Sequence, residues 1–73
     1  MTFKEIVAET FGTQMAFGEF LGCKRITASK YFYHPDLLTI RQIRDVAKQS
    51  GLRVEEIVSA IITQVTNTEK LNA

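Results

Sequence analysis

The sequence predicts an all-α fold, a compact bundle of five short helices, and three observations carry that expectation. Apolar residues recur at intervals of three and four along successive segments. No stretch alternates apolar with polar residues as a half-buried strand would. Gly12, Gly22 and Gly51 each follow a helical pattern at the point where a helix would stop. With 73 residues the chain is one small domain. A domain of that size buries only about 60% of its unfolded surface, so its core must be dense.

Each helix has its own start and stop. Thr2 and Glu5 have capping-box spacing, and Phe3, Ile6 and Val7 follow at helical intervals, giving a first helix from Phe3 to about Thr10. Thr13 caps a second, about Gln14 to Leu21, in which Phe17, Phe20 and Leu21 form an i, i+3, i+4 stripe; Gly22 ends it. A third pattern begins only two residues later, about Arg25 to Phe32, with Ala28 and Tyr31 as its apolar side. The His34-Pro35 pair disfavours helix and opens a loop. Thr39 and Gln42 repeat the capping-box spacing ahead of Ile40, Ile43 and Ala47, a fourth helix running to about Gln49. Val54, Ile57, Val58, Ile61, Ile62 and Val65 then mark an amphipathic fifth helix that ends near Val65. On this reading residues 1–65 are the folded domain and 66–73 a polar, disordered C-terminal tail.

Composition narrows the function classes. The chain is 45% hydrophobic and 23% charged, ordinary for a soluble globule, and lacks the roughly 18 consecutive apolar residues of a membrane span. Cys23 is the only cysteine and His34 the only histidine, so neither a disulfide nor a clustered metal site is expected. The opening residues lack a secretory-leader pattern, which makes a cytoplasmic location the expectation. The net charge of +1 hides a segregation. Residues 24–50 carry Lys24, Arg25, Lys30, Arg41, Arg44 and Lys48 against only Asp36 and Asp45, while both flanking segments are net acidic.

The basic residues begin where the turn ends. Two helices joined by a short glycine-containing turn, the second polar on its outer side, form the helix-turn-helix arrangement, whose second helix enters the DNA major groove. The segment "QMAFGEFLGCKRITASKYF" from Gln14 resembles the phage lambda repressor-like (Cro/repressor-type, XRE) helix-turn-helix family: Gln at the start, small Gly18, Leu21, the turn Gly22, apolar Cys23, then Ala28 and Tyr31 inward. "TIRQIRDVAKQSGLRVEEI", Thr39 to Ile57, is similar to that family's fourth and fifth helices. Two positions depart from its pattern. Gly18 stands where the family usually has Ala, at a mid-helix cost of about 1 kcal/mol. Lys24 stands where it usually has a Ser or Thr cap, and Lys cannot accept the backbone N–H bonds.

The resemblance implies a lambda repressor-like DNA-binding domain with its helix-turn-helix at the second and third helices, acting as a sequence-specific transcriptional regulator. The simplest form is a small phage- or prophage-type repressor that occludes its operator. With Ala28 and Tyr31 inward, Arg25 is the candidate for bidentate contact with guanine. Ser29 would reach a base edge, and Ile26 or Thr27 a thymine methyl. Lys24, Lys30 and Tyr33, with Thr13, Gln14, Thr39 and Arg41 at two helix N-termini, are the candidate phosphate contacts. One such domain reads about one half-site, so a homodimer on a near-palindromic double-stranded DNA operator is expected, with Ile62 and Val65 of the fifth helix as the candidate interface.

Other features have plainer readings. Cys23 is expected as a small core residue, His34 as a turn residue, and Tyr31, Phe32 and Tyr33 as core or rim packing in preference to a stacking platform. The carboxylates are spread over different helices with no indicated pocket, so no enzyme and no cofactor or metal is expected. The competing reading is a protein-interaction module, antitoxin-like or a phage assembly adaptor, that docks a partner through the fifth helix.

Overall fold

The computed structural model describes residues 1–72, with side chains as far as Thr68. The chain is all-α: α1 (Phe3–Phe11), α2 (Gln14–Leu21), α3 (Arg25–Tyr33), a 3-10 turn (Pro35–Leu37), α4 (Ile40–Ser50) and α5 (Val54–Asn72), with no strand among the described residues. The expected caps form. Thr2 with Glu5, and Thr39 with Gln42, make complete capping boxes, and Thr13 Oγ1 accepts the Ala16 N–H. Each therefore satisfies backbone donors that a helix start leaves without an intrahelical partner.

The apolar stripes of all the helices except α2 and α3 meet in one cluster: Phe3, Ile6 and Val7 of α1, Ile43, Val46 and Ala47 of α4, and Ile57, Ala60 and Ile61 of α5. From α2 Phe17 is buried in it and Leu21 packs against it, as do Tyr31 and Phe32 of α3, and Leu38 enters from the loop before α4. Phe3 meets Phe17 edge-on at 5.7 Å between ring centroids, and Phe11 bridges Phe17 and the more exposed Phe20 at 5.5 and 5.0 Å. These aromatics fix α2 onto α1, and α3 in turn packs on α2. The radius of gyration, 11.4 Å, agrees with about 11 Å for a folded chain of this length.

Two details differ from the sequence reading. The fifth helix does not end near Val65; it continues to Asn72, so residues 66–72, assigned to a polar tail, are helical. Neither Gly nor Pro interrupts that stretch, and Thr68 Oγ1 donates to the Gln64 carbonyl within the helix. Ala73 lies outside the described residues. The candidate interface on α5 is also only partly free. Ile57, Ala60, Ile61 and Gln64 are all buried, and Val65 is half-buried against the core. Ile62, on the outer side, is 60% exposed.

Gln64 is the one buried polar side chain among the described residues, 5% exposed. Its Oε1 accepts the Lys4 N–H at 2.9 Å and its Nε2 donates to the Phe32 carbonyl at 3.0 Å. Lys4 is the second residue of α1 and Phe32 the penultimate residue of α3. One side chain thus satisfies an orphan donor at the start of one helix and an orphan acceptor at the end of another.

Candidate nucleic-acid interface

The α2–α3 pair is built around a turn that only its local sequence allows. Gly22 adopts the left-handed conformation at φ 71°, ψ 30°, a region L side chains rarely enter. The Gly22 N–H donates to the Glu19 carbonyl and the Cys23 N–H to the Gly18 carbonyl, at 3.1 and 3.0 Å. Those are the two bonds of a Schellman helix stop. Cys23 and Lys24 then lead into α3; Cys23 is half-buried in the turn and does not join the core, contrary to the sequence expectation. Gly18 marks the closest approach of the two helices: a Cβ built there would lie 2.8 Å from the Ala28 Cβ. The Ala usual in the resembled family would not fit here, because Ala28 already occupies the space.

The outward face of α3 follows from its inward one. Ala28 is buried at 1% exposure, with Tyr31 and Phe32 half-buried beside it. At about 100° per residue, the arc opposite Ala28 holds Ser29, Tyr33, Ile26 and Lys30 in angular order, and Arg25 falls at its edge, about 60° from Ala28 and beside Phe32. Arg25 and Lys30 are exposed, Ser29 is half-exposed, and Ile26 is 85% exposed, an apolar side chain held almost wholly in solvent. Thr27 falls outside this arc, half-buried on the Tyr31 side. Of the four candidate base contacts, Ser29 and Ile26 therefore share the outer arc, with exposed Arg25 flanking it on the Phe32 side and half-buried Thr27 on the Tyr31 side.

The phosphate candidates are distributed over three helix starts and the end of α3. Lys24, Thr13, Thr39 and Arg41 are exposed and Gln14 is half-buried. The hydroxyls of Thr13 and Thr39 are engaged in capping. What α2 and α4 can still offer there is therefore chiefly unbonded backbone N–H groups and the Arg41 charge. Lys24 occupies the cap position of α3 with no side-chain hydrogen bond to the helix. The first amides of α3 thus have no side-chain acceptor. Ile40, the first residue of α4 and next to Arg41, is 75% exposed.

The cations of this surface are uncommitted. Among the described residues the ion pair is Arg53–Glu56, 3.3 Å apart on exposed side chains, so Lys24, Arg25, Lys30 and Arg41 keep their charge open to solvent. One further cation joins them. Lys4 Nζ lies 4.4 Å from the centre of the Tyr33 ring and 5.7 Å from that of Phe32. No local pattern signals this, because Lys4 is 29 positions from Tyr33 and is brought there by the docking of α1 against the end of α3. Gln64 did leave a signal: it interrupts an otherwise apolar stripe on α5, where a polar residue needs a buried partner.

Among the described residues no three His, Cys, Asp or Glu side chains converge as a metal site would require, and no helix is long and apolar enough to cross a membrane. No protein-family model, curated protein or solved structure matches the chain.

Proposed function

We propose that the chain is a sequence-specific reader of double-stranded DNA, a transcriptional regulator of the small phage- or prophage-repressor kind that acts by covering its operator. The observation that carries this reading is the outer arc of α3. Arg25 and Lys30 stand exposed and free of ion pairs on the second helix of a glycine-hinged pair, with half-exposed Ser29 and projecting Ile26 between them. A guanidinium supplies bidentate contact to guanine and an exposed branched apolar side chain suits a thymine methyl; an arc of Lys alone would supply neither. Lys24, Arg41 and the amides left free at the starts of α2, α3 and α4 then hold phosphates and set the register. The resemblance of Gln14 to Ile57 to the lambda repressor-like family supports the same assignment.

Among the described side chains of α5, Ile62 is the most exposed apolar one and would serve a two-fold contact between copies bound to adjacent half-sites, with half-buried Val65 as its margin. Ile62 is also what supports the interaction-module reading.

Selection from random duplexes at two salt concentrations tests the proposal. A sequence reader enriches a half-site at both, whereas a merely basic surface loses everything as salt displaces it. Arg25→Ala should relax preference at one base pair, and Arg41→Ala should weaken all sequences alike and lower the salt dependence. Failure to enrich any sequence, with a folded protein, would reject the DNA reading in favour of an interaction module.

A further inference from the structure

Arg25, Ser29 and Tyr33 follow one another at i, i+4 and i+8 and form one row along α3. At the far end of that row another helix adds a residue. Lys4, the second residue of α1, places its Nζ 4.4 Å from the centre of the exposed Tyr33 ring and 5.7 Å from that of Phe32. The two rings stand edge to face, 5.2 Å apart at 90°, and the ammonium lies within cation–π range of both. Gln64 holds the arrangement from behind, accepting the Lys4 N–H and donating to the Phe32 carbonyl. The carboxylate next in sequence, Glu5, is turned to the Thr2 N–H and hydroxyl. Among the described residues no carboxylate pairs with Lys4.

We propose that Lys4 and Tyr33 form a clamp for one DNA backbone phosphate at the outer end of α3, a proposal that rests on the DNA-reading assignment of that helix. Tyr33 lies eight residues after Arg25, about 12 Å along the helix axis, whereas the major groove is about 8.5 Å deep. A helix whose N-terminal residues meet base edges therefore carries its last turn at the level of the backbone. There a phosphate oxygen accepts from the Lys4 ammonium. The ring face holds that ammonium electrostatically and supplies no oxygen to compete for its protons. Lys4 is thus the binding residue and Tyr33 the positioning one. A lysine on an open helix face must be ordered when it binds; here the rings and the Gln64 bridge restrict it beforehand, which lowers that cost. The clamp also brings α1 into the interface, so the strand is gripped from a helix outside the helix-turn-helix pair.

The test measures, by fluorescence anisotropy, the affinity of the whole chain for two labelled duplexes, one enriched by selection and a random one of equal length, between about 50 and 200 mM salt. Lys4→Met keeps the aliphatic stem and removes the charge. It should weaken both duplexes alike, about fivefold to tenfold near 0.1 M salt, and lower the slope of log affinity against log salt by about 0.9, the share of one phosphate. Lys4→Arg keeps the charge and the ring contact and should retain the slope. Tyr33→Phe keeps the ring face and should retain it as well. A methylphosphonate walked along each strand of the enriched duplex should find one position that weakens the wild type by the same factor and leaves Lys4→Met unaffected. An unchanged slope in Lys4→Met with native circular dichroism would overturn the proposal, as would a loss confined to the enriched duplex or a lost slope in Lys4→Arg. An enriched half-site with an unchanged slope rejects the clamp and leaves the sequence reader standing. No enrichment, with a slope on the random duplex that still falls by about 0.9, does the reverse.

Discussion

Replacing Gln64 with Leu tests whether one side chain holds three helices together. The substitution keeps the volume close to that of Gln but removes both the acceptor for the Lys4 N–H and the donor for the Phe32 carbonyl. Leaving a buried backbone group unpaired costs about 1–3 kcal/mol. Both groups here are only partly buried, so the lower half of that range applies to each, and the total is about 2–4 kcal/mol. For a domain of this size that corresponds to a fall in Tm of about 10–25 °C, read by circular dichroism and confirmed by urea denaturation. Gln64→Glu sharpens the test. The carboxylate still accepts from Lys4 but faces the Phe32 carbonyl without a proton to donate. Its pKa should rise in the folded state, so the destabilisation should be small in acid, where the protonated carboxyl can donate. It should grow as pH rises through the unfolded pKa toward the higher folded one. A Leu variant within about 0.5 kcal/mol of the wild type would refute the reasoning and show that water replaces the amide at both backbone groups.

Other substitutions probe the remaining joints. Gly18→Ala should destabilise by about 1–2 kcal/mol, because overlap with the Ala28 Cβ at 2.8 Å outweighs the gain in helix propensity. The double change with Ala28→Gly should recover part of the loss, and a double-mutant coupling below about 0.3 kcal/mol would count against the contact. Lys24→Ser should stabilise α3 by about 0.5–1 kcal/mol in urea titrations, since the present residue makes no cap bond. Glu5 is held below the ordinary glutamate pKa first by the Thr2 backbone N–H and then by the Thr2 hydroxyl. A depressed folded pKa stabilises above the unfolded value and loses that stabilisation as pH falls through the folded one. Glu5→Gln should therefore flatten the acid limb of a stability–pH curve; an unchanged limb would show that the capping box carries no proton linkage.

What the sequence made legible is what local chemistry decides. Thr2, Thr13 and Thr39 start helices and Gly22 stops one because each acts on backbone groups within four residues of itself. The outer arc of α3 was readable for the same reason, since the inward positions Ala28 and Tyr31 fix the rotation of the rest. The end of α5 was not. Apolar periodicity fades after Val65, yet residues without Gly or Pro can extend a helix that packing has already nucleated. Lys4 over Tyr33 and the Gln64 bridge both require the register of one helix against another. Only the Gln64 position, polar within an apolar stripe, advertised itself in advance.

The same charge segregation explains how a chain with a net charge of only +1 can present a strongly cationic face. Lys24, Arg25, Lys30 and Arg41 are exposed without ion-pair partners, while Glu9, Glu55 and Glu56 border open hollows between α1 and α5 that no residue of α2 or α3 lines. An anionic polymer approaching from a distance meets nearly balanced charges, and within about 8–10 Å at physiological salt each face acts almost alone. Orientation is therefore selected late in the encounter, when the wrong face repels. A balanced total suppresses the indiscriminate attraction that a uniformly basic domain would show. Charge reversal at Glu55 and Glu56 should then raise affinity for random duplexes more than for any selected site. The added positive charge would act through the field as a whole, while the contacts proposed for α3 would be unchanged.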